Sequence, residues 1–152
     1  MEKALLGHVN PDFPWVTGTF QNRSIAALTT VVPVILYERG DRNLINGELF
    51  VASEDGTWCL QIDSGTVPST TTTVYASISI ERFGQGSSMN EAVSPISSTN
   101  PSLPRITTPT ATHRMSKGDT MRFSIYPIAA LSSISGGTES NRRLAFTFAR
   151  IA

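Results

Sequence analysis

The chain has few of the residues that build metal sites and disulfides. Its one cysteine, Cys59, cannot form an internal disulfide and cannot by itself hold a structural zinc ion. Its two histidines, His8 and His113, are far apart in the sequence and show no metal-ligand spacing. We therefore expect no metal and no cofactor in a chain of 152 residues, which is long enough to bury one hydrophobic core.

The chain also lacks net charge, since 12 basic residues balance 12 acidic ones. Proteins that coat nucleic acid usually carry a basic arm or patch, whereas residues 1–22 contain Lys3 as their one strong base. We expect no nucleic-acid partner. The excess of arginine over lysine favours protein contact surfaces, where arginine is enriched, or equally a bias of the source lineage.

Long apolar runs are missing as well. No segment approaches the roughly 20 apolar residues of a membrane-spanning helix. The N-terminal residues lack the long apolar core of a signal peptide. These absences predict a soluble protein without a membrane partner, made in the cytoplasm of its host and released by lysis or assembly.

Serine and threonine are abundant, and both favour strands and turns over helices, where their hydroxyls compete with the backbone. Three segments show the alternating pattern of a half-buried strand. The apolar faces of these segments are Trp58, Leu60 and Ile62 in the first, Val74, Ala76, Ile78 and Ile80 in the second, and Leu144, Phe146 and Phe148 in the third.

Weaker strands are predicted near residues 15–20, 29–38, 46–53, 107–115 and 120–127. Eight strands separated by turn-forming residues predict an all-β fold, a two-sheet antiparallel β-sandwich in jelly-roll order. Pro33 cannot donate a ladder hydrogen bond, so its strand should lie at a sheet edge or carry a bulge. Helix signals are weak, although residues 2–7 or 24–30 could form one turn.

The first residues do not fit a bare sandwich. Two prolines stand beside the aromatic residues Phe13, Trp15 and Phe20, a composition that predicts an extended N-terminal arm with aromatic anchors. The predicted organisation is therefore an arm of residues 1–22 followed by a sandwich domain of residues 23–152. The arm either binds a neighbouring molecule or packs on its own sandwich.

The segment that begins at His113 concentrates several side chains that also occur in active sites. Its "SKGDT" portion is typical of a tight turn, in which Gly118 takes a positive φ and Asp119 bonds its own backbone. The chain has no Gly-x-Ser-x-Gly elbow, so His113 is predicted to be structural or exposed. A glycosidase pair of carboxylates can be neither assigned nor excluded. We expect a protein that is not an enzyme.

Two further motifs carry little weight. Residues Arg39–Asp41 spell an integrin-binding tripeptide, but they fall in a polar turn predicted between two strands. The glycosylation acceptor at residues 22–24 matters in a secreted eukaryotic protein, for which the sequence shows no other sign.

The segments Met115–Ile125 and Leu144–Ile151 resemble the closing strands of trimeric jelly-roll heads, the tumour-necrosis-factor and complement-type globular domains. In those domains a Gly-Asp turn enters a late strand. The chain departs from them in lacking a recognisable first-strand motif and in having a proline-rich arm in front. As a whole, this small Ser/Thr-rich β protein resembles the head decoration (cement) proteins of tailed bacteriophages, which commonly sit as trimers and clamp neighbouring shell subunits.

That resemblance implies a non-enzymatic structural virion protein on the outer capsid surface. Its partners would be the major capsid protein, which it binds and stabilises in the assembled shell, and its own copies in a homotrimer. Buried aromatic side chains dominate interface energies, so we expect Phe13, Trp15 and Phe20 to be the partner-binding anchors. Arg23 and Arg42 are expected to make contacts at the rim.

An alternative is the receptor- or glycan-binding head of a phage tail fibre or similar adhesin. Residues 84–104, a long loop rich in Gly, Ser, Asn and Pro, would then bind the ligand. Fibre heads usually follow a long shaft, whereas this chain starts at Met1 without shaft repeats, which favours decoration. Copy number per virion separates the two, because cement proteins are far more numerous than fibres.

Overall fold

The computed structural model describes residues 12–63, 74–84, 91–92, 97–98, 110–130 and 144–152. These residues form eleven strands and one 3₁₀ turn, Arg42–Leu44. The strands are β1 Trp15–Phe20, β2 Ile35–Gly40, β3 Ile45–Asn46, β4 Leu49–Val51, β5 Gly56–Asp63, β6 Val74–Glu81, β7 Glu91–Ala92, β8 Ser97–Ser98, β9 Thr110–Met115, β10 Thr120–Pro127 and β11 Ala145–Arg150. No helix within these ranges is long and apolar enough to cross a membrane.

The strands form two antiparallel sheets. The five-stranded sheet has the order β2-β1-β11-β5-β9, and the six-stranded sheet has the order β3-β4-β10-β6-β7, with β8 also paired to β6. From β4 onward the longer strands alternate between the two sheets, which is the path of a jelly roll. The predicted two-sheet β-sandwich in jelly-roll order is therefore confirmed.

Aromatic rings from both sheets fill the space between them. Phe20 of β1 lies 5.2 Å from Phe123 of β10, centroid to centroid, and Phe146 of β11 lies 4.9 Å from Phe50 of β4. Trp58 of β5 stacks on the neighbouring strand β11 and is fully buried. Ring pairs at these separations add to the energy of burial, so the rings that meet across the sandwich help to hold the two sheets together.

The structure corrects the boundary of the predicted arm. Residues 15–20 form β1, which lies inside the five-stranded sheet and pairs with β2 on one side and β11 on the other. Phe20 is 2% exposed and belongs to the core, so it is unable to anchor a partner. The period-two signal of β1 was obscured because residues on both of its faces are buried. Residues 1–11 of the predicted arm lie outside the described residues.

The strands predicted at 15–20, 107–115 and 120–127 are found with ends shifted by at most three residues. The strand predicted at 29–38 begins at Ile35, and the one predicted at 46–53 is divided into β3 and β4, which pair with each other. β2 is an edge strand, but it begins after Pro33, so this proline lies outside the strand in which it was predicted. Residues 24–30 form no helix; the Leu28 N–H donates to the Pro127 carbonyl and Val31 pairs with Ile125, so this segment runs beside β10. The other predicted helical turn, at residues 2–7, lies outside the described part of the chain.

The predicted loop at residues 84–104 contributes two short strands, β7 and β8, that pair with β6. Gly84 ends the turn after β6, and most of the remaining loop residues lie outside the described ranges. The loop is therefore attached to the six-stranded sheet at two points.

The carboxylate of Asp119 organises the turn between β9 and β10, and its side chain is 5% exposed. It accepts the backbone N–H groups of Phe83 at 2.8 Å and Ser116 at 2.9 Å, and the Arg82 guanidinium donates to it at 3.1 Å. Burial would raise the pKa of Asp119, but these three donors outweigh burial and hold the pKa below its usual range. Gly118 precedes it at φ +91, as the turn prediction required.

Replacing this carboxylate should destabilise the protein in a pH-dependent way. Asp119→Asn is expected to lower the free energy of unfolding by about 2 kcal/mol near neutral pH, because the amide loses charge-assisted hydrogen bonds and places an N–H against a donor. A carboxylate whose pKa is lower in the folded state than in the unfolded state stabilises the fold at pH values above about 3.9, its pKa in the unfolded chain. This stabilisation is lost as the pH falls through the pKa of the folded state. Urea unfolding of the wild-type protein and of Asp119→Asn, from neutral pH to strongly acidic pH, measures the difference between their free energies of unfolding.

The matched control is Asp55→Asn, because exposed Asp55 accepts one backbone N–H, that of Lys117 at 2.8 Å. This control should lower the free energy of unfolding by less than about 1 kcal/mol. A stability deficit of Asp119→Asn that stays constant from neutral to strongly acidic pH would contradict the role assigned to the carboxylate charge.

Gly18 allows β1 to pack closely between its neighbours. A Cβ at this position would collide with the backbone oxygen of Leu36 and lie 2.9 Å from the ring of Phe146. Gly18→Ala is therefore expected to lower the free energy of unfolding by about 3 kcal/mol, measured by urea denaturation. At Gly84 no atom lies within 4 Å of the added Cβ, so Gly84→Ala should cost about 1 kcal/mol through its φ of +78 alone. Equal losses at both sites would rule out the close contact as the cause.

Candidate binding surfaces

The structure distributes the five predicted contact residues over different parts of the molecule. Phe20 is in the core, Phe13 and Trp15 are partly buried, and Arg23 and Arg42 are exposed. Because Phe20 is not at the surface, the five residues do not form a single set of anchors.

Phe13 packs on its own chain. The guanidinium of Arg150 lies 4.2 Å from the centroid of the Phe13 ring. The same guanidinium pairs with Glu54 at 3.0 Å, and its Nε donates to the carbonyl of Ala152 at 3.0 Å. This cluster ties the segment before β1 to the last residues of the chain, so Phe13 acts within the protomer.

The two predicted rim arginines have local partners. Arg42 lies over the ring of Tyr37, 4.4 Å from its centroid, and the Tyr37 hydroxyl donates to the Gly40 carbonyl at 2.9 Å. Arg23 donates from Nε to the neighbouring Ser24 carbonyl at 3.4 Å. Both arginines are exposed, and their contacts with a partner remain a proposal.

Trp15 lies on a different surface, the outward side of the five-stranded sheet. Strand register defines its rows: Trp15, Ala149, Cys59 and Thr112 are successive neighbours across β1, β11, β5 and β9. The next row contains Thr17, Thr147 and Gln61, and the one beyond it contains Thr19 and Ala145. We call these nine residues the threonine face.

The threonine face is uncharged and consists largely of small side chains. Charged side chains in the same rows or beside them lie at its margins: Arg39 in β2, Asp63 at the end of β5 and Arg114 in β9. The sheet centre is thus flat and neutral, a composition typical of the core of a protein interface, where charged residues are depleted.

Several residues of this face are buried although they point away from the core. Thr17 is 2% exposed, Thr147 4% and Ala149 0%. The Thr17 hydroxyl is buried without a hydrogen-bond partner. Burial raises the pKa of the Cys59 thiol, and a hydrogen bond with Thr112 offsets part of this increase in pKa. β1 and β11 are therefore buried on both sides, unlike β10, whose residues alternate strictly between buried and half-buried.

The His113 region is a scaffold for the turn that Asp119 organises. The Nδ1 of His113 lies 2.9 Å from the Arg114 carbonyl and 3.5 Å from the guanidinium of Arg82. Arg82 also donates to the Arg114 carbonyl at 3.0 Å. These contacts join the residue that follows β6 to β9. They give His113 and Arg82 a structural role in the segment that resembled an active site.

No group of three or more His, Cys, Asp or Glu side chains in the described ranges is placed to hold a metal ion. The surface that the sequence did not reveal is the threonine face. A threonine in an alternating strand is expected to face solvent. The sequence does not show whether such an outward-facing residue is buried or exposed to water.

No protein-family model and no curated protein sequence matches the chain. Solved structures do. The chain superposes on murine APRIL with a TM-score of 0.62 at 12% identity, over 91% of this chain and 99% of APRIL. The PRD1 vertex protein P5 gives a TM-score of 0.59 at 14% identity, over 92% and 96% of the two chains.

The globular domain of zebrafish complement 1qA gives a TM-score of 0.51 at 13% identity, over 91% of this chain and 95% of that domain. Identities this low show the fold alone. They confirm the fold that the resemblance of the two closing segments predicted. The chain has the jelly-roll fold shared by tumour-necrosis-factor-like and complement-type globular domains.

Proposed function

We propose that the protein is a non-enzymatic structural component of a virion, which associates with its own copies through the threonine face and binds the outer surface of an assembled capsid. The observation that supports self-association is the uncharged centre of the outer side of the five-stranded sheet, where the charged side chains lie at the margins. A sheet with an uncharged, flat outer side loses little hydration energy when another subunit covers it.

Trp15 supplies the anchor of this surface. It is the one aromatic residue of the threonine face, it is partly buried beside Ala149, and its indole lies against Gly40. Large aromatic side chains such as tryptophan are enriched among the residues that contribute most of the association energy of an interface. A homotrimer, as the resemblance to trimeric heads implies, would place three copies of this sheet against each other.

The virion role is supported by the likeness to the PRD1 vertex protein P5, a virion protein with the same fold. In an oligomer, each additional attachment to the shell occurs at high effective concentration, so weak individual contacts give firm binding. Binding to the assembled shell and not to its free subunits stabilises the shell by mass action. The major capsid protein is the proposed partner, and residues 1–11 are the proposed contact segment.

A charge placed on the threonine face should dissociate the oligomer. Thr112 is exposed in the isolated protomer, so Thr112→Arg should leave the fold intact while burying an unpaired guanidinium on association. Sedimentation velocity should show a shift from a multiple of 16.4 kDa to the single-chain mass. Trp15→Ala should weaken association by at least about 2 kcal/mol, roughly 30-fold.

The matched control is Asn46→Arg, an exposed position in β3 at the edge of the other sheet. It should leave the mass unchanged. A wild-type protein that sediments as a monomer, or a Thr112→Arg variant that stays as oligomeric as Asn46→Arg, would contradict the assignment of this face.

Shell attachment is tested by removing residues 1–11. The truncated protein should fold, because β1 and the contact between Phe13 and Arg150 remain. It should no longer cosediment with purified shells of the virus, while keeping the oligomeric mass of the full chain. Truncation to residue 20 would be no test, because it removes β1 and the core residue Phe20. Full occupancy of shells by the truncated protein would exclude these residues as the contact segment.

A further inference from the structure

The outer side of the six-stranded sheet carries a cavity of about 310 Å³. Among the described residues, those that line it all bear a hydroxyl group: Thr30, Tyr75, Ser77, Ser124 and Tyr126. The volume is at the small end of the range for ligand pockets, roughly 300 to 1,000 Å³, which suits a ligand of one or two rings.

Strand register explains how these residues come together. Ser124 of β10 is directly opposite Ser77 of β6, and in the next row Tyr126 is opposite Tyr75. The short serine side chains leave the surface low, while the tyrosine rings stand beside them with centroids 6.4 Å apart and planes inclined by 38°. The cavity is therefore a depression in a regular sheet, walled by two aromatic rings.

Thr30 closes the side of the cavity beyond β10. The Val31 N–H and carbonyl both bond to Ile125 at 2.9 Å, which places the preceding residue, Thr30, beside Tyr126. Leu28 adopts a positive φ of 55, rare for a leucine, and donates its N–H to the Pro127 carbonyl at 2.8 Å. Strained backbone of this kind is held in place by its surroundings and clusters at ligand clamps.

The chemistry of the lining selects the ligand. Serine, threonine and tyrosine hydroxyls each donate and accept hydrogen bonds, which matches a ligand that presents several hydroxyls of its own. The tyrosine rings offer apolar faces for the C–H side of a sugar ring, and Tyr75 is 38% exposed and accessible.

Charge argues for a neutral ligand. None of the lining residues in the described part of the chain is ionised at neutral pH, so these residues offer no charged partner to a phosphate, sulfate or carboxylate group. Of the charged residues on the same side of these strands, Arg122 occupies the row next to the serine pair, opposite Ser79, and Glu81 occupies the row beyond it. We propose that this cavity, the tyrosine pocket, binds a neutral carbohydrate of one or two sugar rings.

The site is independent of the proposed self-association, because it lies on the opposite sheet from the threonine face. It is tested with the full chain by NMR titration of ¹⁵N-labelled protein with methyl glucoside, methyl galactoside, methyl mannoside and N-acetylglucosamine, together with an array of neutral and acidic glycans. At least one neutral sugar should shift the resonances of residues 75, 77, 124 and 126 in a saturable manner.

Tyr75→Ala should weaken the binding of that sugar about tenfold, because one ring face is lost. Ser124→Ala keeps the small volume and the fold while removing one hydroxyl, and should weaken binding several-fold. Leu36→Ala is the control: Leu36 is 39% exposed on the other sheet, so it should leave affinity unchanged. Thermal melting of each variant checks that the fold is retained.

Three results would overturn the proposal. The first is a titration in which none of the four sugars, and no neutral glycan on the array, binds the protein. The second is binding restricted to sialylated or sulfated glycans. The third is binding of a neutral sugar that shifts other resonances, or whose affinity is the same in Tyr75→Ala and Leu36→Ala.

Discussion

The packing of aromatic rings between the two sheets is the interaction on which the rest of the structure depends. Phe20, Phe50, Phe123, Phe146 and Phe148 come from four strands that are distant in sequence, and their rings meet in the middle of the sandwich. Because these contacts join β1, β4, β10 and β11, neither sheet is positioned without the other. Both binding surfaces are the outer sides of sheets that this core holds in place.

The two outer sides have different chemistry, and this difference follows from local side-chain choice. The outward positions of β1 and β11 hold small neutral residues, several of which are buried within the protomer. On β6 and β10, serines lie beside tyrosines, so the surface is uneven and rich in hydroxyls. One side thus suits a broad contact with a similar flat surface, and the other suits a small polar ligand.

Much of the fold was predictable because apolar and polar residues alternate along half-buried strands. β5, β6 and β11 have apolar faces that the sequence shows directly, and the Gly118–Asp119 turn follows from residues that favour positive φ and side-chain capping. β1 was harder, since Gly18 and the threonines gave no apolar alternation, and the aromatic residues around them looked like anchors for a partner. Phe20 is instead a core residue, because β1 pairs on both edges.

Local residue preferences act within a few positions of the chain, and so the strand content and the turn at Asp119 could be predicted from the amino-acid sequence alone. Contacts between distant segments decided everything else. Only the tertiary structure placed Thr17 beside Thr147, and Tyr75 beside Tyr126, because strand order and register are set by how the whole core packs. The threonine face and the tyrosine pocket exist through that register, and no stretch of the chain contains either of them.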